Sequence, residues 1–537
     1  MPDPIAPTLQ RLKRIPPPLW LFAFSLLLFW PALGGGFVMD DWPVVKENSK
    51  ITRASDIPAY FSSGVWSNTD LAEQAGLSGN TLYRPLFLLT LNVAHQLWGD
   101  NPLGYHLLNL LLHGLNVVLV YYLLLGLPAR GAARNTGALL GAAVFAAHPV
   151  HVESIAWVAG ITDPLVSMLL LASLLLYRRA GAQQSPLAAA GALGCYALAL
   201  LSKEVAIFFP LLLLAHDLLT GTRPRWTRYL PYAVLFALYF LLRAVALGDG
   251  ADVARMDFNQ WPLLFEFLTR YIQLLFVPWP LEYYYDAPAT SLFSLITGGG
   301  LLLAALAGAT LAWRRGQRLP AFALAWLLVT LAPALPIALF AEPVFAIRVL
   351  YLPSVALALI VAWLFDQRLQ RGRAIATAGI GAFIVVAIPL TIAEIADWRD
   401  DITFYSLAAN TSPASYKPLV GLADAFERDD QPGPAIDASL RAAARAPDSR
   451  TRLDLRERAA RLLGQNGDTE GSAAIYREIV TEDPQRSSAW VGLGNNAFAQ
   501  RELARAQEYY RRALQADAGN AEAAYNLSLV LRNLRSR

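Results

Sequence analysis

Cysteine is almost absent from this 537-residue chain, and charged residues are few. A single cysteine, Cys195, excludes an intramolecular disulfide and a thiolate metal cluster. Charged residues make up 16% of the chain, against roughly 25% in ordinary soluble domains, and hydrophobic residues make up 55%. These values exclude a purely soluble enzyme, a disordered chain and a secreted mini-protein. Because the net charge is only +3, we expect no nucleic-acid partner.

Nucleotide-binding and hydrolase motifs are missing as well. The chain contains no P-loop, no Gly-x-Gly-x-x-Gly opening a helix after a strand, and no Gly-x-Ser-x-Gly. These absences argue against a soluble, doubly wound enzyme that uses a nucleotide sugar.

Long apolar stretches dominate the chain up to about residue 395. Crossing a hydrocarbon layer of ~30 Å takes ~20 helical residues, and stretches of about that length recur. Residues 1–395 are therefore predicted to form an all-α, polytopic membrane helix bundle of about eleven spans. The first run could be a signal peptide, but the many similar runs behind it indicate a retained span. The predicted spans are 19–33, 104–127, 136–150, 155–177, 186–201, 205–219, 229–247, 293–313, 320–340, 349–366 and 374–395.

Basic residues concentrate in alternate loops between these spans. With the N-terminus inside, every inner loop is basic and the outer loops are acidic or mixed, as the positive-inside rule requires. Eleven spans then place the C-terminal tail on the non-cytoplasmic side. The segment 186–219 is short for two full spans, so we expect it to turn near Ser202-Lys203-Glu204.

The tail, residues 396–537, repeats with a period near 34 residues. Pro413 and Pro447 are one period apart, and small and aromatic residues recur where a tetratricopeptide repeat packs its two helices. The tail is predicted to be an α-solenoid of three to four repeats with a groove, opening with a half-repeat at 398–413. The predicted packing residues are Leu422, Ala423, Ala435, Ala442, Trp490, Leu493, Gly494, Ala506, Tyr510 and Ala513.

A pair of aspartates opens the first long outer loop. Asp40 and Asp41 directly follow the first span, and adjacent carboxylates in a partly apolar site cannot both ionise at low cost. One of the two should therefore have a raised pKa, which suits a general base acting on a hydroxyl. The alternative is a solvated acidic pair that caps a helix.

Histidines and further acids follow at predicted helix ends. His148, His151 and Glu153 could bind a metal or line a polar substrate cavity, and Pro149 argues against the continuous helix that a metal site would use. Asp163 could line the same cavity or merely cap the next helix. A second polar stripe, His106, Asn109 and His113, has helical spacing and faces either a cavity or another helix.

Three cations lie at the outer ends of apolar segments, where the topology does not require them. Arg84, Lys203 and Arg348 are candidates for binding a lipid-linked phosphate, because an arginine fork matches phosphate geometry and a lysine ammonium supplies a point charge. The alternative is an ion pair, such as Arg348 with Glu342 or Lys203 with Glu204.

The order of these motifs resembles one known family. The motifs are Asp40-Asp41, Tyr83-Arg-Pro-Leu86, Tyr105-His-Leu-Leu-Asn-Leu-Leu-Leu-His113, His148-Pro-Val-His-Val-Glu153 with Asp163, Ser202-Lys-Glu204, and Arg348-Val-Leu-Tyr-Leu-Pro-Ser354, followed by the repeats. Together they resemble the transmembrane and tetratricopeptide-repeat O-mannosyltransferases and their bacterial relatives, within the GT-C-type membrane glycosyltransferases.

That resemblance implies the transfer of one sugar, mannose in the family, from a polyprenyl-phosphate carrier to a protein hydroxyl on the non-cytoplasmic side. It assigns the role of base to Asp40 or Asp41, with Asp40 favoured. It assigns phosphate binding to Arg348 first, with Arg84 and Lys203 as further candidates. It implies an inverting reaction with no required metal or cofactor. The residues assigned to the cavity are His106, His148, His151, Glu153, Asp163, Glu204 and Tyr351.

The expected partner follows from the repeats, and the expected location follows from the topology and from a composition rich in Ala, Leu and Arg. The groove of the repeats is expected to bind the acceptor protein, and the chain is expected in a bacterial inner membrane with its tail in the periplasm. An oligosaccharide ligase or polymerase, and a non-catalytic membrane scaffold, are the competing hypotheses.

Overall fold

Helices are the only regular secondary structure in the residues described by the computed structural model, which are 16–69, 82–127, 132–248, 257–281, 291–339, 345–366 and 372–535. The chain divides into two units, 1–400 and 401–537. The predicted all-α fold class, with apolar helices followed by repeats, is confirmed.

The first unit contains fifteen α-helices within its described residues. In chain order α1 to α15 are Pro17–Phe29, Ile57–Tyr60, Pro85–Trp98, Pro102–Leu125, Ala132–Ala147, Val152–Ala156, Thr162–Gln183, Pro186–Leu200, Phe209–Thr220, Trp226–Leu247, Pro262–Phe276, Leu292–Arg314, Arg318–Leu331, Val355–Asp366 and Gly372–Asp397.

The span count of eleven is not confirmed. Among the described residues, eight helical segments are long and apolar enough to cross a membrane, or nine if a bent pair counts as one span. The difference lies in the segment 186–219, where α8 has 15 residues and α9 has 12. At ~1.5 Å per residue neither helix crosses a full hydrocarbon layer. The chain turns between them at residues 201–203, where the sequence places a turn.

The bent pair lies at the second histidine motif. The two helical parts, Arg134–Ala147 and Pro149–Ala156, meet at an angle of 53°. Because Pro149 lacks an N–H and pushes His148 out of the helical region, the helix breaks there. The break places the side chains that follow it, including Glu153, at one end of the bundle.

Close helix contacts form the interior of the first unit. A Cβ built on Gly141 of α5 would lie 2.6 Å from the carbonyl oxygen of Ala358 in α14, so these two backbones touch. On the buried face of α4, Asn116 donates a hydrogen bond to the carbonyl of Pro164 at 2.8 Å. Such contacts hold the helix ends that carry the charged residues.

The second unit is a stack of antiparallel helix pairs. Helices α16 to α23 are Asp401–Thr411, Lys417–Arg428, Pro432–Ala444, Ser449–Gln465, Thr469–Glu482, Ser487–Ala499, Leu503–Ala516 and Ala521–Arg535. A Cβ at Gly494 would lie 2.4 Å from the ring of Tyr510, which explains the small residue at that position. Of the predicted packing residues all are buried except Trp490, which is half-buried. The opening helix is not continuous with the last span, since residues 398–400 are non-helical.

Candidate active site

Seven of the predicted site residues come together at one end of the first unit. Each lies at a helix end or in a break between helices, and each interacts electrostatically with at least one other. The seven are Asp40, Arg84, Glu153, Asp163, Lys203, Glu204 and Arg348, and we call them the charge cluster.

The two aspartates of the first loop have different surroundings. Asp41 is fully buried, and its two carboxylate oxygens accept hydrogen bonds from the backbone N–H groups of Val38, at 2.9 Å, and Ala159, at 2.8 Å. Asp41 thus ties the loop to the 3₁₀ turn Ala159–Ile161. A carboxylate engaged in this way has a structural role, which separates it from Asp40.

Asp40 is the carboxylate of the pair that remains partly exposed. Burial raises the pKa of the Asp40 carboxyl above its usual value, and the positive charge of Arg348 offsets part of that rise. The adjacent carboxylate was expected to raise this pKa, but the largest cause in the structure is burial. A carboxylate with a raised pKa accepts a proton more readily than an ordinary aspartate.

Arg348 is held by Glu153 and by an aromatic ring. The Glu153 carboxylate accepts one hydrogen bond from the Arg348 guanidinium and another from its backbone N–H at 2.9 Å. The guanidinium carbon lies 4.9 Å from the ring centre of Trp157, within cation–π range. The predicted alternative partner, Glu342, lies outside the described residues.

The other two cations are paired across long sequence separations. Lys203 contacts both carboxylate oxygens of Asp163 at 2.6 Å, and Arg84 contacts Glu204 at 2.6 Å. The predicted alternative of a pair between Lys203 and Glu204 is therefore wrong. The neighbours in sequence point to different partners because Lys203 lies in the turn and Glu204 begins the next 3₁₀ segment.

A small cavity lies beside these two ion pairs. Its volume is about 110 Å³, and its polar lining consists mainly of Arg84, Asp163, Lys203 and Glu204. Apolar side chains such as Ile337 and Leu352 form much of the remaining wall. Since one water takes roughly 30 Å³ in the liquid, the cavity holds a group of a few heavy atoms, such as a phosphate. Charge on one wall and hydrocarbon on the other suit the phosphate end of a lipid.

The predicted cavity-lining histidines lie elsewhere, in the packed interior. His148, His151 and Tyr351 are fully buried. His148 donates to the carbonyl of Leu275 at 2.9 Å, and His151 is hydrogen-bonded to Ser354 at 2.9 Å. No group of three potential metal ligands occurs within the described part of the chain. These buried side chains bind other protein groups and do not line the cavity of the charge cluster. The hypothesis that His148 and His151 bind a metal therefore has no support in the described residues.

The polar stripe on α4 also faces protein. His106 donates to the carbonyl of Gly36 at 3.2 Å, Asn109 to the carbonyl of Trp157 at 2.8 Å, and His113 is hydrogen-bonded to Tyr351 at 2.8 Å. The stripe is thus the contact between α4 and the loops that carry the site. Among its members, His106 supports the loop that ends in Asp40.

Trp157 is the main site residue that the sequence analysis missed. Its indole N–H donates to the carbonyl of Val38 at 3.0 Å, while its ring lies under Arg348. It therefore contacts both the loop of Asp40 and the cation opposite. The available signal was a tryptophan four residues after Glu153, at the same border as the charged residues.

Comparisons with known proteins agree with the resemblance stated above. A tetratricopeptide-repeat family profile matches residues 457–521 and 491–536. Protein O-mannosyl-transferase TMTC3 of Homo sapiens is 30% identical over 151 residues, which is 28% of this chain and 16% of that protein.

Two further relatives are also named protein O-mannosyl-transferases. Protein O-mannosyl-transferase Tmtc2 of Drosophila melanogaster is 32% identical over 211 residues, covering 38% of this chain and 22% of that protein. Protein O-mannosyl-transferase F38B6.6 of Caenorhabditis elegans is 24% identical over 415 residues, covering 74% and 58%. The matched part thus spans less than a quarter of the human and fly proteins and more than half of the nematode protein.

Proposed function

We propose that this chain is a membrane glycosyltransferase that transfers one sugar from a polyprenyl-phosphate carrier to a hydroxyl group of a protein. The observation that carries the proposal is that Asp40, a partly exposed carboxyl with a raised pKa, interacts electrostatically with Arg348 in the charge cluster. The relatives named as protein O-mannosyl-transferases support it and favour mannose as the sugar.

The reaction proposed here needs a base at one reactant and positive charge at the other. The acceptor hydroxyl oxygen attacks the anomeric carbon and gives its proton to the Asp40 carboxylate. The bond between the anomeric carbon and the phosphate oxygen breaks, and its electron pair stays on the carrier phosphate. A single displacement of this kind inverts the anomeric centre. The developing phosphate charge would be stabilised by the preorganised cations Arg84, Lys203 and Arg348.

Binding of the donor phosphate requires an exchange of partners. Arg84, Lys203 and Arg348 each have a carboxylate partner in the structure. A phosphate entering the cavity would therefore share Lys203 with Asp163 and Arg84 with Glu204. This arrangement keeps the buried cations compensated when the site is empty, since an unpaired buried charge is costly.

The orientation in the membrane is part of the proposal. Arg178 lies near the end of α7 opposite to Asp163, and Arg228 reaches that same end at Gly181, as expected for residues of cytoplasmic loops. We place the charge cluster and the repeats on the periplasmic side of a bacterial inner membrane. A C-terminal alkaline phosphatase fusion should be active in cells, and an inactive phosphatase with a fluorescent C-terminal GFP fusion would contradict this orientation.

We further propose that the repeats bind the acceptor protein and that neither a metal nor a cofactor is required. The groove formed by stacked helix pairs is a common protein-binding surface, which supports the first point. Titration with EDTA tests the second, and we expect no loss of transfer.

The experiment is a transfer assay with the purified chain, synthetic polyprenyl-phosphoryl mannose and an acceptor protein, read by intact mass. We expect the wild type to add single hexoses and Asp40→Asn to be inactive. Asp100→Asn is the matched control, since this exposed aspartate pairs with Lys46 outside the charge cluster. Transfer by Asp40→Asn at the wild-type rate would refute the proposal. Addition of a repeating block would favour the oligosaccharide ligase or polymerase, and no transfer by any form would favour the scaffold.

A further inference from the structure

A second and larger cavity lies in the first unit, between α7, α8 and α10. Its volume is about 340 Å³, within the range of pockets that bind small molecules. Its wall is mostly apolar and includes Tyr177, Gly181, Pro186, Leu193 and Arg228.

This cavity is far from the charge cluster. Helix α7 carries Asp163 at its first turn and Tyr177 and Gly181 near its last turns. At ~1.5 Å per residue the two sites are about 21 to 27 Å apart along this helix. The larger cavity therefore has no part in the sugar transfer proposed above.

Arg228 supplies the positive charge of this cavity. Its side chain is half-buried and passes over Gly181, where an added Cβ would lie 3.5 Å from a guanidinium nitrogen. In the described residues this guanidinium has no hydrogen bond and no ion pair. Nearby arginines do have partners: Arg178 donates to the carbonyl of Leu123 at 3.2 Å, and Arg318 to that of Leu219 at 3.3 Å.

The carboxylate beside the cavity does not neutralise Arg228. Asp217 of α9 is buried and accepts hydrogen bonds from the hydroxyls of Tyr177, at 2.6 Å, and Tyr229, at 2.7 Å. His216 lies 3.3 Å from its other oxygen. With Asp217 engaged in this way, the cavity keeps an uncompensated positive charge.

The start of α10 has the composition of a membrane–water interface. Arg223, Arg225 and Arg228 alternate there with Trp226 and Tyr229, and basic and aromatic side chains of this kind lie at head-group depth. Further along α10 the outward-facing side chains are apolar and exposed, as shown by Leu230, Val234 and Leu241. A ligand with an anionic head and hydrocarbon chains matches both parts of this surface.

We propose that this cavity binds the phosphate group of an anionic membrane phospholipid, with Arg228 as its ligand and the acyl chains along α10. A guanidinium is more weakly hydrated than an ammonium and forms paired hydrogen bonds to phosphate oxygens. In the orientation proposed above, the lipid belongs to the cytoplasmic leaflet. The site itself does not depend on that orientation or on the sugar-transfer activity.

The test measures lipid binding by the full-length chain in neutral detergent, through its thermal stability and through native mass spectrometry. Phosphatidylglycerol, phosphatidylcholine and inorganic phosphate are the probes. Phosphatidylglycerol should raise the melting temperature with increasing concentration and add as one tightly bound lipid, because a ligand that binds the folded state stabilises it. Phosphatidylcholine and inorganic phosphate at the same concentration should have little effect.

Three variants make the test specific. Arg228→Ala should weaken phosphatidylglycerol binding by roughly 10- to 100-fold, the equivalent of one lost charge-assisted contact. Arg225→Ala is the control, since Arg225 is exposed and does not line the cavity. Ala189→Trp fills the cavity without changing its charge and should also weaken binding.

Three outcomes would overturn the proposal. Equal losses in Arg228→Ala and Arg225→Ala would indicate a diffuse basic surface. Equal stabilisation by inorganic phosphate would show that the site takes a free anion. Wild-type binding by Ala189→Trp would place the lipid outside this cavity.

Discussion

The two neighbouring aspartates allow one chemical change to be tested in two environments. Asp40→Asn and Asp41→Asn each replace a carboxylate by an amide of almost the same shape. We expect the two changes to have opposite effects on stability. Asp41 accepts two backbone hydrogen bonds, whereas burial destabilises the charged form of Asp40.

The expected loss of stability in Asp41→Asn follows from the two hydrogen bonds that the Asp41 oxygens accept. An amide keeps one oxygen and turns an NH₂ group toward the other backbone N–H, either that of Val38 or that of Ala159. One charge-assisted hydrogen bond is lost and one buried N–H is left without an acceptor, at a cost of about 2–4 kcal/mol. We therefore expect a marked loss of stability and, through the displaced loop, of activity.

Asp40→Asn should behave differently. Because the folded-state pKa of Asp40 is raised by burial, the folded protein binds this proton more tightly than the unfolded chain. The contribution of Asp40 to the free energy of unfolding therefore falls as the pH rises from the ordinary carboxyl pKa to the raised one. At neutral pH a neutral amide avoids the cost of burying a charged carboxylate, so the variant should be as stable as the wild type or more stable. Because the base is lost, the rate of transfer should fall on the order of 100-fold or more.

The assay pairs melting in detergent, followed by tryptophan fluorescence at a fixed scan rate, with transfer to an acceptor. The expected result is a lower melting temperature for Asp41→Asn and an unchanged or higher one for inactive Asp40→Asn. A melting temperature of Asp40→Asn below that of Asp41→Asn, or more than a tenth of the wild-type activity in Asp40→Asn, would contradict these assignments.

Three further predictions concern the surroundings of the base and the repeats. Arg348→Gln removes a charge that lowers the pKa of Asp40, so the acidic limb of the rate–pH profile should move to higher pH; an unmoved limb would contradict their coupling. Trp157→Phe keeps the ring under Arg348 but loses the hydrogen bond to Val38, so kcat should fall more than the donor KM rises, and an unchanged kcat would argue against positioning. Deleting 401–537 should spare transfer to a short peptide and impair transfer to a protein, whereas equal loss for both would contradict acceptor binding by the repeats.

Local patterns in the sequence predicted the parts of the fold that depend on local physics. The 34-residue period identified Gly494 and Tyr510 as packing residues, because a repeat places equivalent residues at equivalent contacts, and the structure shows that the two touch each other. Pro149 predicted a break in its helix because proline lacks the N–H that the helix needs.

Pairing between distant residues could not be predicted in the same way. The partners Arg84 and Glu204 are 120 residues apart, and Arg348 and Glu153 are 195 apart, so their contacts depend on how the helices pack. Similarly, the local sequence does not distinguish the surroundings of Asp40 from those of Asp41, because the backbone N–H of Ala159 that holds Asp41 comes from another element. The short helices α8 and α9 have the composition of spans, and although the sequence already marked 186–219 as short for two spans, the observed helix ends show that neither helix crosses alone.

The proposed reaction requires the charge cluster to bind the donor, and native mass spectrometry with synthetic polyprenyl-phosphoryl mannose measures that binding. The wild type should bind one donor molecule, and a variant with both Arg84→Gln and Lys203→Met should bind it at least tenfold more weakly while retaining the fold. Equal donor binding by the two proteins would contradict the account.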